Sequence, residues 1–172
     1  EFREEYLPRT ALVLDTARPR SLAEIMGIEQ EDATLESAIS LAAAVADYLS
    51  RREYVVDLFA TGPHVYRFQS GRSLGQFTDI LGILACIEPH HGEPFDELSS
   101  EIVQEIAQIS SAVIVLLKWD AARQTLLEEL LAAGVQVKTL FVAENSAALD
   151  DLPADVTVID VDDIESGRCT SL

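Results

Sequence analysis

The sequence predicts an open α/β domain: a mostly parallel sheet with helices on both faces and one antiparallel edge strand. Three observations lead there. Short, unbroken apolar runs, the mark of strands covered on both faces, recur along the chain at 11–14, in "SAVIVLLK" and in "VQVKTLFVA". They alternate with stretches of helical period, and a strand-to-strand connection that crosses over through a helix produces a parallel pair. One tight-turn signal, Thr61-Gly62-Pro63, joins two strand-like runs directly.

The first strand is "TALVLD", which ends abruptly on Asp15 before Thr16, Ala17, Arg18 and Pro19. The first long helix follows in "EDATLESAISLAAAVADYLSRR". Leu35, Ile39, Ala42, Val45 and Leu49 recur there at helical spacing, its alanines allow close approach to a sheet, and Glu31, Asp32 and Glu36 sit near the positive end of the helix dipole. "EYVVDLFATGPHVYRFQS" reads as the hairpin. A second helix is expected over about 73–87, ended by the prolines and glycine of "EPHHGEP", and a third over about 95–109. After the strand in "SAVIVLLK", Asp120 is placed to cap a helix over "AARQTLLEELLAA" and Gly134 to end it. "VQVKTLFVA" is the next strand, and "DVTVIDV" in the acidic tail is a last one.

Composition narrows the function classes. The 172 residues, 48% hydrophobic and 24% charged, suit one globular domain over 1–172 with a single core, its tail from about 144 less regular. Thirty acids against twelve bases give a net charge of -18, a field that repels phosphates and argues against nucleic acid as a partner. No apolar run approaches the roughly 20 residues needed to cross a bilayer, so no direct membrane contact is expected of this chain. Two cysteines, Cys86 and Cys169, make no disulfide framework and point to a reducing compartment.

In an open parallel sheet the ligand crevice lies beyond the carboxyl ends of the strands, where strand order reverses, and Asp15, Lys118, Trp119 and Asp120 all belong at that edge. Several chemistries place an aspartate there. A haloacid-dehalogenase-type phosphatase needs a second aspartate two residues on, where Ala17 stands. Dinucleotide binding needs a glycine-rich turn, and no glycine occurs between Asp15 and Gly27. A P-loop, a Gly-x-Ser-x-Gly elbow and a Cys/His pairing are likewise missing.

The surviving pattern resembles the von Willebrand factor A-type fold, a Rossmann-like open sheet. There the first strand ends in Asp-x-Ser-x-Ser, whose oxygens hold one divalent cation with a threonine and an aspartate from two further loops. The combination "LVLDT", "TLESAISLAAAVADYLSRREYVVDLFATG", "ILACIEP" and "VIVLLKWD" resembles, more closely, the soluble region of the domain-of-unknown-function 58 family over about 1–143. That resemblance implies strand order 3-2-1-4-5-6, a parent protein anchored by upstream membrane helices with this region on the cytoplasmic face, and no enzyme activity or cofactor. It also implies partnership with a MoxR-type AAA+ ATPase.

Against the metal motif the chain departs at several positions. Asp15 is kept, but Ala17 and Pro19 replace both serines, and neither methyl nor pyrrolidine can ligate a hard cation. The second-loop threonine falls near "HHGEPFDE", where Glu93 and Pro94 stand, and the third-loop aspartate near Lys118 or Trp119, with Asp120 the nearest acid. Arg18, Arg20 or Lys118 is expected to neutralise Asp15 as an ion pair. The metal site is therefore read as degenerate, with no metal expected beyond a weak remnant at Asp15. Asp15, Arg18, Arg20, Trp119 and Asp120 form the candidate partner surface.

Other residues take plainer readings. His90 and His91 lie in a Pro/Gly loop and read as solvated, His64 as a hairpin-surface residue, Cys86 as an inert core thiol and Trp119 as a packing cap at a strand end. "DDLPADVTVIDVDD" lacks the glycine turn of a calcium loop and reads as a solvated acidic end. The leading class is a non-enzymatic protein-interaction module. The alternatives are a metal-dependent adhesion module using Asp15, Thr16 and Ser21 with a partner's carboxylate, and a small-molecule enzyme using Asp15 with His90 or His91.

Overall fold

The computed structural model describes residues 9–17, 25–26, 32–62, 64–69, 76–88, 95–144 and 152–168. Among these, six strands form one sheet: β1 (Arg9–Leu14), β2 (Val55–Ala60), β3 (Tyr66–Phe68), β4 (Ser111–Leu116), β5 (Gln136–Ala143) and β6 (Val156–Asp160). Their spatial order is β3-β2-β1-β4-β5-β6. Only the β2–β3 pair is antiparallel, at one edge. This is the order that the von Willebrand-type resemblance implies, with the hairpin strand at the edge where the turn residues place it. β1 lies in the middle because five consecutive apolar or small side chains leave it nothing to offer solvent.

Helix α1 (Ala33–Arg51) starts where the Asp32 carboxylate accepts the Leu35 N–H at 3.1 Å. Its buried stripe, Leu35, Ala38, Leu41, Ala42, Val45, Ala46 and Leu49, has the helical period read from the sequence. α2 (Gln76–Leu84) and α3 (Phe95–Glu105) follow, the latter tightening into a 3₁₀ turn at Ile106–Gln108 before β4. Both end earlier than periodicity predicts, at Leu84 and Glu105. α4 (Ala121–Ala132) is capped by Asp120 and ends at Gly134, whose φ of +82° is the left-handed conformation that glycine adopts without a Cβ clash. A short α5 (Val161–Glu165), not foreseen, starts where Asp160 caps the N–H of Asp162.

The sheet carries a core on each face. Leu12 and Leu14 of β1 join α1, Ile80 and Leu84 of α2 and Val161 on one side. Ala11 and Val13 join Phe95, Leu98 and Ile102 of α3 with Leu126 and Leu130 of α4 on the other. Successive β1 side chains thus feed opposite cores, which is why its run is unbroken rather than alternating. Cys86 corrects one expectation: it is exposed, because Leu84 and Ile87 take the inward positions at the end of α2 and the two residues between them, Ala85 and Cys86, face out. Among the described residues no helix is long and apolar enough to cross a membrane.

Candidate functional site

Strand order reverses between β1 and β4, and the crevice such a reversal opens is here filled by side chains. The ladder runs one residue past β1 on both sides: the Asp15 N–H donates to the Val115 carbonyl at 2.9 Å, and the Thr61 N–H to the Leu14 carbonyl at 3.0 Å. Asp15 and Thr61 therefore stand side by side at the carboxyl edge, both fully buried.

Asp15 is held from three directions. Its Oδ1 accepts the Ala17 N–H at 3.0 Å, closing a local Asx turn, and the Thr61 hydroxyl at 3.0 Å. Its Oδ2 faces Arg123, with Nε donating at 2.8 Å and Nη2 2.7 Å away as part of the ion pair. Both side chains of that pair are 0% exposed. Thr16 completes the floor: its N–H donates to the Thr61 hydroxyl oxygen at 2.7 Å and its own hydroxyl to the Thr61 carbonyl at 3.0 Å.

Arg123 reaches this position from the first turn of α4. Asp120 caps that helix by accepting the Arg123 N–H at 3.2 Å, and its Oδ2 also accepts from Arg123 Nη1 at 2.7 Å. Lys118 Nζ lies 3.1 Å from the same oxygen. The guanidinium lies over the ring of Phe95, its central carbon 4.1 Å from the ring centroid. One cation thus links two carboxylates and an aromatic face. Burial pushes the Asp15 carboxyl above its ordinary value, with Arg123, the Ala17 amide and the Thr61 hydroxyl opposing. Burial pushes Asp120 up as well, but the Arg123 amide, Lys118 and the Arg123 charge outweigh it and hold that carboxyl low.

The counter-ion of Asp15 corrects the sequence expectation. Lys118 pairs with Asp120, Arg18 and Arg20 lie outside the described residues, and Arg123, which the sequence reading passed over, neutralises the aspartate. Its signal was present: residues 123, 126, 127 and 130 follow the i, i+3, i+4, i+7 rule, so Arg123 occupies a core-facing position beside Leu126, Leu127 and Leu130. Thr61 is the second missed residue. Read as a turn, it instead supplies a hydroxyl to Asp15. Asp15 has no exposed surface, so it reaches any docking edge only through the groups it holds.

Trp119 is half-buried against the core formed with α3 and α4, and His64 is exposed. His90, His91, Glu93, Pro94, Pro19, Ser21 and Cys169 lie outside the described residues. Among the described residues no three or more His, Cys, Asp or Glu side chains gather as a metal-holding group. The divalent cation implied by the resembling motif does not fit the donors at Asp15. Guanidinium nitrogens stand within 2.8 Å of the Asp15 and Asp120 oxygens, and a second cation there would meet a fixed positive charge.

No protein-family model and no curated protein matches the chain. Solved structures do. A von Willebrand factor type A protein from Catenulispora acidiphila aligns at TM-score 0.62 and 8% identity, over 94% of this chain and 41% of that one. An aerotolerance-related membrane protein from Bacteroides fragilis aligns at 0.54 and 12% identity, over 79% and 67%. The manganese-loaded TRAP protein of Plasmodium vivax aligns at 0.54 and 7% identity, over 94% and 71%. The chain spans about two fifths of the length of the first of these. The class of protein is thereby defined at the level of fold: a six-stranded α/β sheet of the von Willebrand factor A type.

Proposed function

We propose that this chain is a non-enzymatic protein-interaction module whose metal-ion-dependent adhesion site is degenerate. The observation that carries this reading is the closed state of Asp15. The one acid retained from the adhesion motif is fully buried and bound to Arg123, Thr61 and Ala17 at the point where an open α/β fold otherwise receives its ligand. A carboxylate so engaged is not available as a general base, a nucleophile or a metal ligand.

The finer reading follows the resemblance to the domain-of-unknown-function 58 family. The chain is one domain of a longer, membrane-anchored parent, lies on the cytoplasmic face, and works as an adaptor for a MoxR-type AAA+ ATPase. The name of one structural neighbour, an aerotolerance-related membrane protein, supports the anchored parent. The docking edge comprises Arg18, Arg20, Trp119 and Asp120, with Asp15 supporting it from beneath.

The test is a calorimetric titration of the chain with the MoxR-type ATPase of the same genome, with ATP, with ADP and without nucleotide. A complex in at least one state, weakened tenfold or more by Trp119→Ala, is expected. Absence of a complex in every state contradicts the adaptor reading. Unchanged affinity with a large fall in melting temperature would make Trp119 a packing residue.

A further inference from the structure

We infer that the Asp15 cluster is a cation site whose cation is covalently built in, namely the Arg123 guanidinium, and that the pocket is shaped for a planar cation rather than a spherical one. This rests on the degenerate-site reading and goes further, because it assigns to Arg123 a role that neither the sequence motif nor the fold supplies.

Three features point the same way. Asp15 presents one oxygen to two nitrogens of the fork, Nε at 2.8 Å and Nη2 at 2.7 Å, and Asp120 takes the third nitrogen, Nη1, at 2.7 Å. Nε and Nη1 of the guanidinium thus donate to carboxylates on different strand ends, and Nη2 lies in ion-pair range of Asp15, which suits a group with donors fixed in one plane. Phe95, itself 1% exposed, places its ring under the cation, with the guanidinium carbon 4.1 Å from the ring centroid. An aromatic face attracts a flat, weakly hydrated cation and offers magnesium no oxygen in its demanding octahedron.

The cluster also closes the fold. Asp15 follows β1, Thr61 follows β2, Asp120 follows β4 and Arg123 opens α4, so Asp15 and Arg123 together tie three strand ends to a helix. The carboxyl edge is in this way fixed without any ion drawn from solution.

The experiment is chemical rescue. In Arg123→Ala the fork and its stem are removed while the carboxylates remain, and the melting temperature is expected to fall by roughly 10 °C. Ethylguanidinium chloride at tens of millimolar is expected to restore several degrees. Ethylammonium and magnesium chlorides at equal ionic strength restore less than half as much, and Asp15→Asn/Arg123→Ala shows no preference for ethylguanidinium. If Arg123→Ala does not fold on its own, refolding yield in the same salts replaces the melting temperature as the readout.

Equal rescue by the three salts overturns the inference, as does an Arg123→Ala variant that melts with the unaltered chain. Larger rescue by magnesium overturns the planar preference. Failure of rescue while the unaltered chain ignores magnesium sinks this inference alone. A magnesium response of the unaltered chain sinks the degenerate-site reading.

Discussion

Arg9 with Asp57 and Arg123 with Asp15 place the same two chemical groups at opposite ends of the sheet, in different surroundings. At the amino ends, Arg9 and Asp57 come from neighbouring strands, with Nη2 donating to Oδ1 at 3.0 Å, and the arginine side chain is 27% exposed. At the carboxyl ends both partners are sealed from water, with Arg123 over the ring of Phe95 and the pair tied to Asp120, Thr61 and Ala17. Water reaches Arg9 of the first pair, although its partner Asp57 is 2% exposed, and reaches neither member of the second, where an ion pair is costly to break because the surviving charge has no solvent to turn to. The two ends share a residue pair but not an energetic role. The amino-end pair has one wet member and the carboxyl-end pair has none.

Single removals of the two arginines test this contrast most strongly. Arg123→Met should lose about 3–5 kcal/mol, the usual cost of stranding one partner of a buried pair. Arg9→Met should lose less, about 1–3 kcal/mol, because Arg9 forms the wet end of its pair and water can enter the space it leaves beside the buried Asp57. Urea denaturation curves of the two variants measure both losses, and equal losses would break the contrast.

Removing both charges sharpens it. Asp15→Asn together with Arg123→Met should recover more than half of what Arg123→Met alone loses, since a neutral buried pair carries no stranded charge. Purely additive losses in a double-mutant cycle would show that Arg123 acts by its packed stem and not its charge.

A smaller effect belongs to the amino end, where α1 closes on Glu53 with a φ of 63°, the left-handed region that glycine adopts without penalty. The closure itself is regular, with the Tyr54 N–H on the Leu49 carbonyl at 3.2 Å. Glu53→Gly should therefore gain about 1 kcal/mol, against a Glu53→Ala control that gains nothing. A loss on Glu53→Gly would mean that this carboxylate has work the backbone does not reveal.

The smallest effect is a pH dependence. Asp120 is held below its ordinary value, so its contribution is fully present above the unfolded carboxyl range of about 4 and is lost as pH falls toward the folded value. Asp15, pushed up by burial, has the opposite sign: it favours the protonated native state, and its contribution declines as pH rises through its folded value. Asp120→Asn should accordingly flatten the loss of stability below about pH 4, read from melting temperatures along a pH series. An unchanged acid limb would show that Asp120 serves only as a cap.

What the sequence disclosed divides along physical lines. The central place of β1 was legible because a strand with no polar face has only one environment open to it, and the antiparallel edge because Thr61-Gly62 interrupts two strand-like runs. Asp120 and Gly134 announced both ends of α4 through their capping chemistry. The site was harder. Arg123 sits in a core-facing register, but a long charged side chain within a helix is ordinarily solvated, and its burial becomes evident only when β1 and β2 bring Asp15 and Thr61 beside it. Thr61 was concealed by its turn neighbours. Cys86 misled because an apolar neighbourhood in sequence does not fix which residue of a helix end faces in.

The melting temperature of the unaltered chain in millimolar magnesium, against the same chain in EDTA at matched ionic strength, tests the central claim most directly. Equal ionic strength matters because a chain of net charge -18 responds to any salt. A cation bound at a hundredfold excess over its dissociation constant would add about 2.7 kcal/mol of stability, a plainly visible shift. With Arg123 already in place as the counter-ion of Asp15, the two melting temperatures should coincide. A rise of several degrees in magnesium that vanishes in Asp15→Ala would contradict the account and restore a metal-dependent adhesion site.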